Sequence, residues 1–263
     1  ITFDQTATGP GGATNLTLNA GTTGNVTALG VVSGIQNLTV TADNVNMAGG
    51  IVHTVNNLVT FNSTGDVSYA QNGNLNIGLS NITGAASITA NNGAIVTGGV
   101  GNGFTAGSVV LTATDGAGTD AGTFLVGAGG INTTGGSLTL KSADGMTING
   151  PVISNNGNII LAAGNAPGMA SLGIPLATNA GGAALGTVAI NAPVRAGTGN
   201  ATIYSTGPVS QTLPATDAGV QTSNVLTVRT YSNAAGGATI TMENDKLTGG
   251  VTCATGNAGT GDD

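Results

Sequence analysis

Gly136-Ser137-Leu138-Thr139-Leu140-Lys141-Ser142-Ala143-Asp144-Gly145-Met146-Thr147-Ile148-Asn149-Gly150-Pro151-Val152-Ile153-Ser154-Asn155-Asn156-Gly157-Asn158-Ile159-Ile160-Leu161-Ala162-Ala163-Gly164 holds two copies of one short pattern. In Ser137-Leu138-Thr139-Leu140, apolar side chains recur at every second position, the period of a strand with one buried face. Asn158-Ile159-Ile160-Leu161 follows, and Leu138 and Ile159 lie 21 residues apart. Between them Asp144-Gly145-Met146-Thr147-Ile148 alternates again, so each turn of chain holds at least two strands. A unit of about 20 residues is too short for a strand plus a crossover helix, which takes ~30. It fits a coil in which each strand pairs in parallel with its equivalent one turn later. The fold class is therefore all-β, a parallel β-helix or β-solenoid with rungs of about 20 residues.

The same pattern extends in both directions. Asn15-Leu16-Thr17-Leu18-Asn19, Asn37-Leu38-Thr39-Val40-Thr41 and Asn57-Leu58-Val59-Thr60-Phe61 precede it, with Leu16, Leu38 and Leu58 spaced by 22 and 20 residues. Thr187-Val188-Ala189-Ile190, Val225-Leu226-Thr227-Val228 and Ala238-Thr239-Ile240-Thr241-Met242 follow it. A weaker series around Val26, Val45, Val67 and Met146 lies between these runs. Stacking ~13 rungs at about 4.8 Å predicts a rod on the order of 60 Å long. Asn at the corners is expected to stack as side-chain ladders. Gly98 to Gly130 and Ala166 to Gly186, the latter with Pro167 and Pro175, read as loops extruded from the coil. No composition break marks a second domain, so residues 1–263 are one solenoid. Ile1 at the start and the Gly/Asn/Thr-rich end read as a segment of a longer repetitive protein.

Composition excludes several functions. Of 263 residues 47 are Gly and only 6% are charged, yet 40% are apolar, too many for a chain that stays disordered. Formal net charge is -7 and the only cations are Lys141, Arg195, Arg229 and Lys246, so no basic face for nucleic acid is expected. No apolar run reaches the ~18 residues of a membrane span. Cys253 is the only cysteine, which rules out an internal disulfide and a thiolate metal cluster.

The segment quoted above resembles the repeats of filamentous-haemagglutinin-type adhesins, bacterial exoproteins exported by two-partner secretion or as autotransporters. The resemblance implies a right-handed parallel β-helix in a secreted, cell-surface protein. It also implies an adhesin stalk or a self-assembling filament subunit with a host or cell-surface receptor or glycan as partner, and unpaired strand edges at an open solenoid end would add head-to-tail self-association. The family's secretion domain, with its Asn-Pro motifs, has no counterpart here.

Parallel β-helices also serve polysaccharide lyases and hydrolases, whose chemistry needs clustered carboxylates. Asp43, Asp66 and Asp144 precede strands, where Asp is an ordinary turn residue, although Asp43 and Asp66 fall about one rung apart. Asp115 and Asp120 lie in a Gly-rich loop without iterated calcium-binding repeats. His53, the only histidine, is expected at the surface or a corner. Thr17, Thr39, Thr139 and Thr227 would make an ice-binding ladder if regular, but the matching positions become Ile160 and Ala189. Asn-x-Ser/Thr triplets begin at Asn15, Asn25, Asn37, Asn62, Asn81, Asn132 and Asn200. Carbohydrate binding or cleavage is the alternative function, opposed by aromatic residues (Phe3, Phe61, Phe104, Phe124, Tyr69, Tyr204 and Tyr231) that lie far apart in sequence. No catalytic, cofactor-binding or metal-binding residue is assigned, and the chain is read as non-enzymatic.

Overall fold

Val26, Val45, Val67, Ala86, Val109, Leu138, Ile159, Ala201 and Leu226 form one buried column, each in register with the next in parallel strands. The computed structural model describes residues 1–3, 7–8, 14–49, 53–99, 103–115, 122–164, 186–212, 219–222, 224–231, 239–242, 246–247 and 251–256. Among these, eleven strands build the first face of a β-solenoid. At about 4.8 Å per strand that face is on the order of 50 Å tall. This is shorter than the expected 13 rungs. One turn, from Asn158 to Asn200, takes 42 residues, and the loop expected from Ala166 to Gly186 lies, up to residue 185, outside the described residues.

From Leu75 onward each turn adds two short strands. The second face holds Leu75–Ile77, Ile95–Thr97, Phe124–Val126, Met146–Ile148, Val188–Ile190, Val209–Gln211 and Ile240–Thr241. The third holds Ser80–Ile82, Phe104–Ala106, Ile131–Thr133, Val152–Ile153, Val194–Gly197, Val220–Thr222 and Lys246–Leu247. Three strands per turn meet the expectation of at least two. The stretch from Gly98 to Gly130 is not a loop throughout, since Phe104–Ala106, Ser108–Ala113 and Phe124–Val126 are paired strands. Their glycine-rich flanks hid them. The structure also redistributes the repeat series. Leu138 and Ile159 belong to the first face, whereas Val188 stacks on Met146 in the second. In the column begun by Leu16 and Leu38, Val59 takes the inward place expected of Leu58, because the register shifts between Ile35 and Asn37.

Glycine is abundant because one corner is built from it. Between the third face and the next first-face strand, Gly65, Gly84, Gly107, Gly136, Gly157 and Gly199 fall at the bend, and a Cβ on most of them would strike the backbone one rung below. At Gly157 it would meet the Gly136 carbonyl. Buried hydroxyls secure the same bend: Thr133 Oγ1 donates to the Gly136 and Ser154 carbonyls at 2.7 and 2.9 Å, and Ser154 Oγ donates to that of Gly157. These satisfy carbonyls that a tight corner would leave unpaired. Asn ladders run along strands and not only at the corners expected to hold them. Asn37 Nδ2 donates to Asn15 Oδ1 at 2.7 Å, and Asn57 Nδ2 to Asn37 Oδ1 at 2.9 Å. Asn44, in turn, donates to Asn25 and accepts from the Asp66 amide.

The first turns have a different cross-section. There the first-face strands are short, Val26–Ala28 and Val45–Met47, and the opposite strands long, Ile35–Ala42 and Val55–Ser63. Val55–Ser63 then pairs with both Leu75–Ile77 and Ser80–Ile82, so one broad face splits into two. On the other side the first face lengthens to Val67–Asn72, with His53 bridging to Gln71.

Candidate functional site

The change of cross-section holds a cluster of large and polar buried side chains. His53, Phe61, Tyr69 and Gln71 are all buried there, His53 fully so. This corrects the expectation of a surface or corner histidine: its backbone bridges to Gln71 and its ring turns inward against Tyr69. His53 stacks on Tyr69 with ring centroids 5.6 Å apart, and Phe61 packs edge-on against Tyr69 at 5.3 Å. His53 Nδ1 accepts from the Val32 amide at 3.0 Å, which fixes the neutral ring with its proton on Nε2. Nε2 itself has no hydrogen-bond partner among the described residues. Burial holds the imidazole pKa below its ordinary value, with the Met47 backbone opposing that effect. Tyr69 Oη donates to Gln71 Oε1 at 2.8 Å, and Gln71 Nε2 donates to the Val55 carbonyl at 3.0 Å. Burial raises the Tyr69 pKa well above the ordinary phenol value. The imidazole is thus held inside the junction by its stack on Tyr69 and by the Val32 amide.

The carboxylates divide among corners. Asp43 accepts from Thr64 Oγ1 at 3.0 Å and Asn44 Nδ2 at 3.0 Å, and Asp66 Oδ1 accepts the Ala85 amide at 2.8 Å. They stand in adjacent turns at the glycine corner, offset by one position, because Asn44 and not Asp43 is the equivalent of Asp66. Asp144 lies at a different corner, between the first and second faces, where its Oδ2 accepts the Gly122 amide at 2.8 Å. Asp115 is buried at that corner one turn earlier. The acids thus serve turns. Among the described residues no three His, Cys, Asp or Glu side chains gather where they could hold a metal ion. Asp4, Asp120, Asp217, Glu243, Asp245, Asp262 and Asp263 lie outside the described residues, and of Cys253 only the backbone is described, paired with Val228.

Outward positions fall into rows. Thr17 and Thr39 share a row with Thr60, whereas Thr139 and Thr227 belong to the first face in a row with Ile160 and Thr202. The threonines singled out in the sequence do not form a single ladder. Ala189, grouped with them earlier, stacks on Thr147 in the second face. Asn15, Asn25, Asn37, Asn132 and Asn200 each hydrogen-bond to a neighbouring rung, which gives these glycosylation-type triplets a structural use.

The second outward row of the first face is chemically distinct. Lys141, Ala162, Tyr204 and Arg229 follow one another in register, and the Tyr204 and Tyr231 rings lie 6.3 Å apart at 42°. Aromatic residues 27 positions apart in sequence are therefore neighbours. The signal was present: Lys141, Tyr204 and Arg229 each hold the fourth place in the runs beginning at Leu138, Ala201 and Leu226. Burial raises the Tyr204 pKa, reinforced by Tyr231 and opposed by the Arg229 charge. Burial also lowers that of Lys141.

No helix among the described residues is long and apolar enough to cross a membrane. No family model matches the chain, and no curated protein or solved structure gives a match.

Proposed function

We propose that this chain is a structural, non-enzymatic solenoid of the bacterial exterior, an adhesin stalk or a filament subunit that extends and presents its faces. The observation that carries this reading is the eleven-strand first face, in which the strands from Ala85–Asn91 to Leu226–Tyr231 pair in parallel and residue for residue with the one before. Such a stack spends its residues on length and flat surface. Its interior is mainly stacked columns of Val, Ile, Leu and Ala, with a few Phe, Tyr and Met side chains, and its polar interior groups, where hydrogen-bonded, mainly tie off corners. The likeness of residues 136–164 to filamentous-haemagglutinin-type repeats supports the same reading, since Leu138 and Ile159 in that segment are consecutive in one column.

A rung that pairs in parallel with its neighbour presents the same edge to a second copy, so head-to-tail growth is the expected mode of self-association. Sedimentation velocity with negative-stain electron microscopy of the purified chain tests this. Thin fibres that lengthen with concentration support a filament subunit, and short rods of one length at every concentration support a stalk. Globular particles contradict both.

A further inference from the structure

The sequence has seven aromatic residues and four cations, and the first face gathers two of each into one patch. Tyr204 and Tyr231 form a tilted pair, Arg229 is in register with Tyr204 on the next strand, and Lys141 occupies the same row on the far side of Ala162. From Lys141 to Arg229 is three rungs, about 14 Å at the spacing of parallel strands. All four side chains are half-buried, and Ala162 between Lys141 and Tyr204 is fully covered. These side chains are thus packed against the face, which lowers the entropy lost when a ligand orders them.

We propose that this row is a binding site for a short carboxylated saccharide, a uronic-acid-type oligomer lying across the strands along the Lys141–Arg229 row. A pair of tyrosine rings offers the apolar surface on which a sugar ring rests, with hydroxyls at the margin to hydrogen-bond it. The Arg229 guanidinium fork matches a carboxylate in two parallel hydrogen bonds, and the Lys141 ammonium offers a point charge for a second acidic unit. The remaining surface argues for a short ligand. With net charge -7, the chain repels a long polyanion such as nucleic acid, while a local cationic row still attracts a few carboxylates. The site goes beyond the structural role proposed above and operates whether or not the chain self-assembles.

The chain has no Trp, so tyrosine fluorescence reports on Tyr204 and Tyr231 directly, Tyr69 being sealed in the core. The test titrates the purified chain with a tetramer of galacturonic acid, the neutral galactose tetramer and a single-stranded oligonucleotide. The tetrauronate is expected to bind and change the fluorescence, and the neutral tetramer to bind at least about tenfold more weakly. Arg229→Gln should weaken uronate binding by about tenfold, the loss of one charge-assisted pair. Tyr204→Ala should weaken it comparably, whereas Tyr204→Phe, which keeps the ring, should stay within about threefold. Thr147→Ala on the second face should change nothing. The proposal fails if the uronate does not bind, if neutral and acidic tetramers bind alike, if the oligonucleotide binds more tightly, or if Arg229→Gln is without effect. Circular dichroism of each variant separates loss of the site from loss of the fold.

Discussion

The first turns and the later ones solve the same problem with different cross-sections. Up to Ser63 the coil has short first-face strands and one broad opposite face, and after Val67 it has a long first face and two short ones. Where the two meet, the inward columns do not continue smoothly, and the space is filled by Phe61, Tyr69, His53 and Gln71 instead of Val, Leu and Ala. In the later region the columns are regular and glycine corners set the shape. The junction therefore rests on one cluster of touching rings, and the later turns on stacked aliphatic columns with Phe104 and Phe124 as single rings.

The largest effect is expected at the junction. Phe61→Ala should cost about 3–5 kcal/mol, and hydrogen exchange should accelerate in residues 26–63 while residues 138–231 keep their protection. Equal acceleration throughout would erase the distinction between the two regions. In the regular region Gly157→Ala should cost about 1–3 kcal/mol, since its Cβ must displace the backbone of Gly136.

Acid should act through the junction too. Burial lowers the folded pKa of His53, and Nδ1 is already occupied as an acceptor from Val32. The unfolded chain thus takes up the proton first. The stability that His53 contributes is complete above the ordinary value of 6.5 and is lost as pH falls toward the folded pKa. Thermal melts between pH 7.5 and 5.5 should show this slope, and His53→Gln should flatten it. Asn44→Ala, which breaks a ladder linking three turns, should cost about 1 kcal/mol by urea denaturation. The smallest effect has the opposite sign: at Gly49 a Cβ meets nothing, so Gly49→Ala should stabilise by about 0.4–1 kcal/mol.

The solenoid was legible because alternation and spacing are local signals. Leu138 and Ile159 announce their pairing by residue count alone. The assignment of runs to faces was not legible, since Met146 and Val67 sit in similar short runs yet belong to different faces. Only the corners decide that, and corner angles depend on contacts between rungs, such as those of Gly157 and Ser154. His53 escaped for a related reason: its burial follows from a change of cross-section one turn wide, which has no period. The Tyr204–Tyr231 patch needed the register of three rungs, one of which separates equivalent residues by 42 positions.

We propose that this solenoid works outside the cell as an extended, surface-presenting element, and immuno-electron microscopy of producing cells, with an antibody raised against the purified chain, can locate it. Label is expected on rods or fibres projecting from the cell surface and removed by external protease. Label confined to the cell interior and untouched by protease would contradict it.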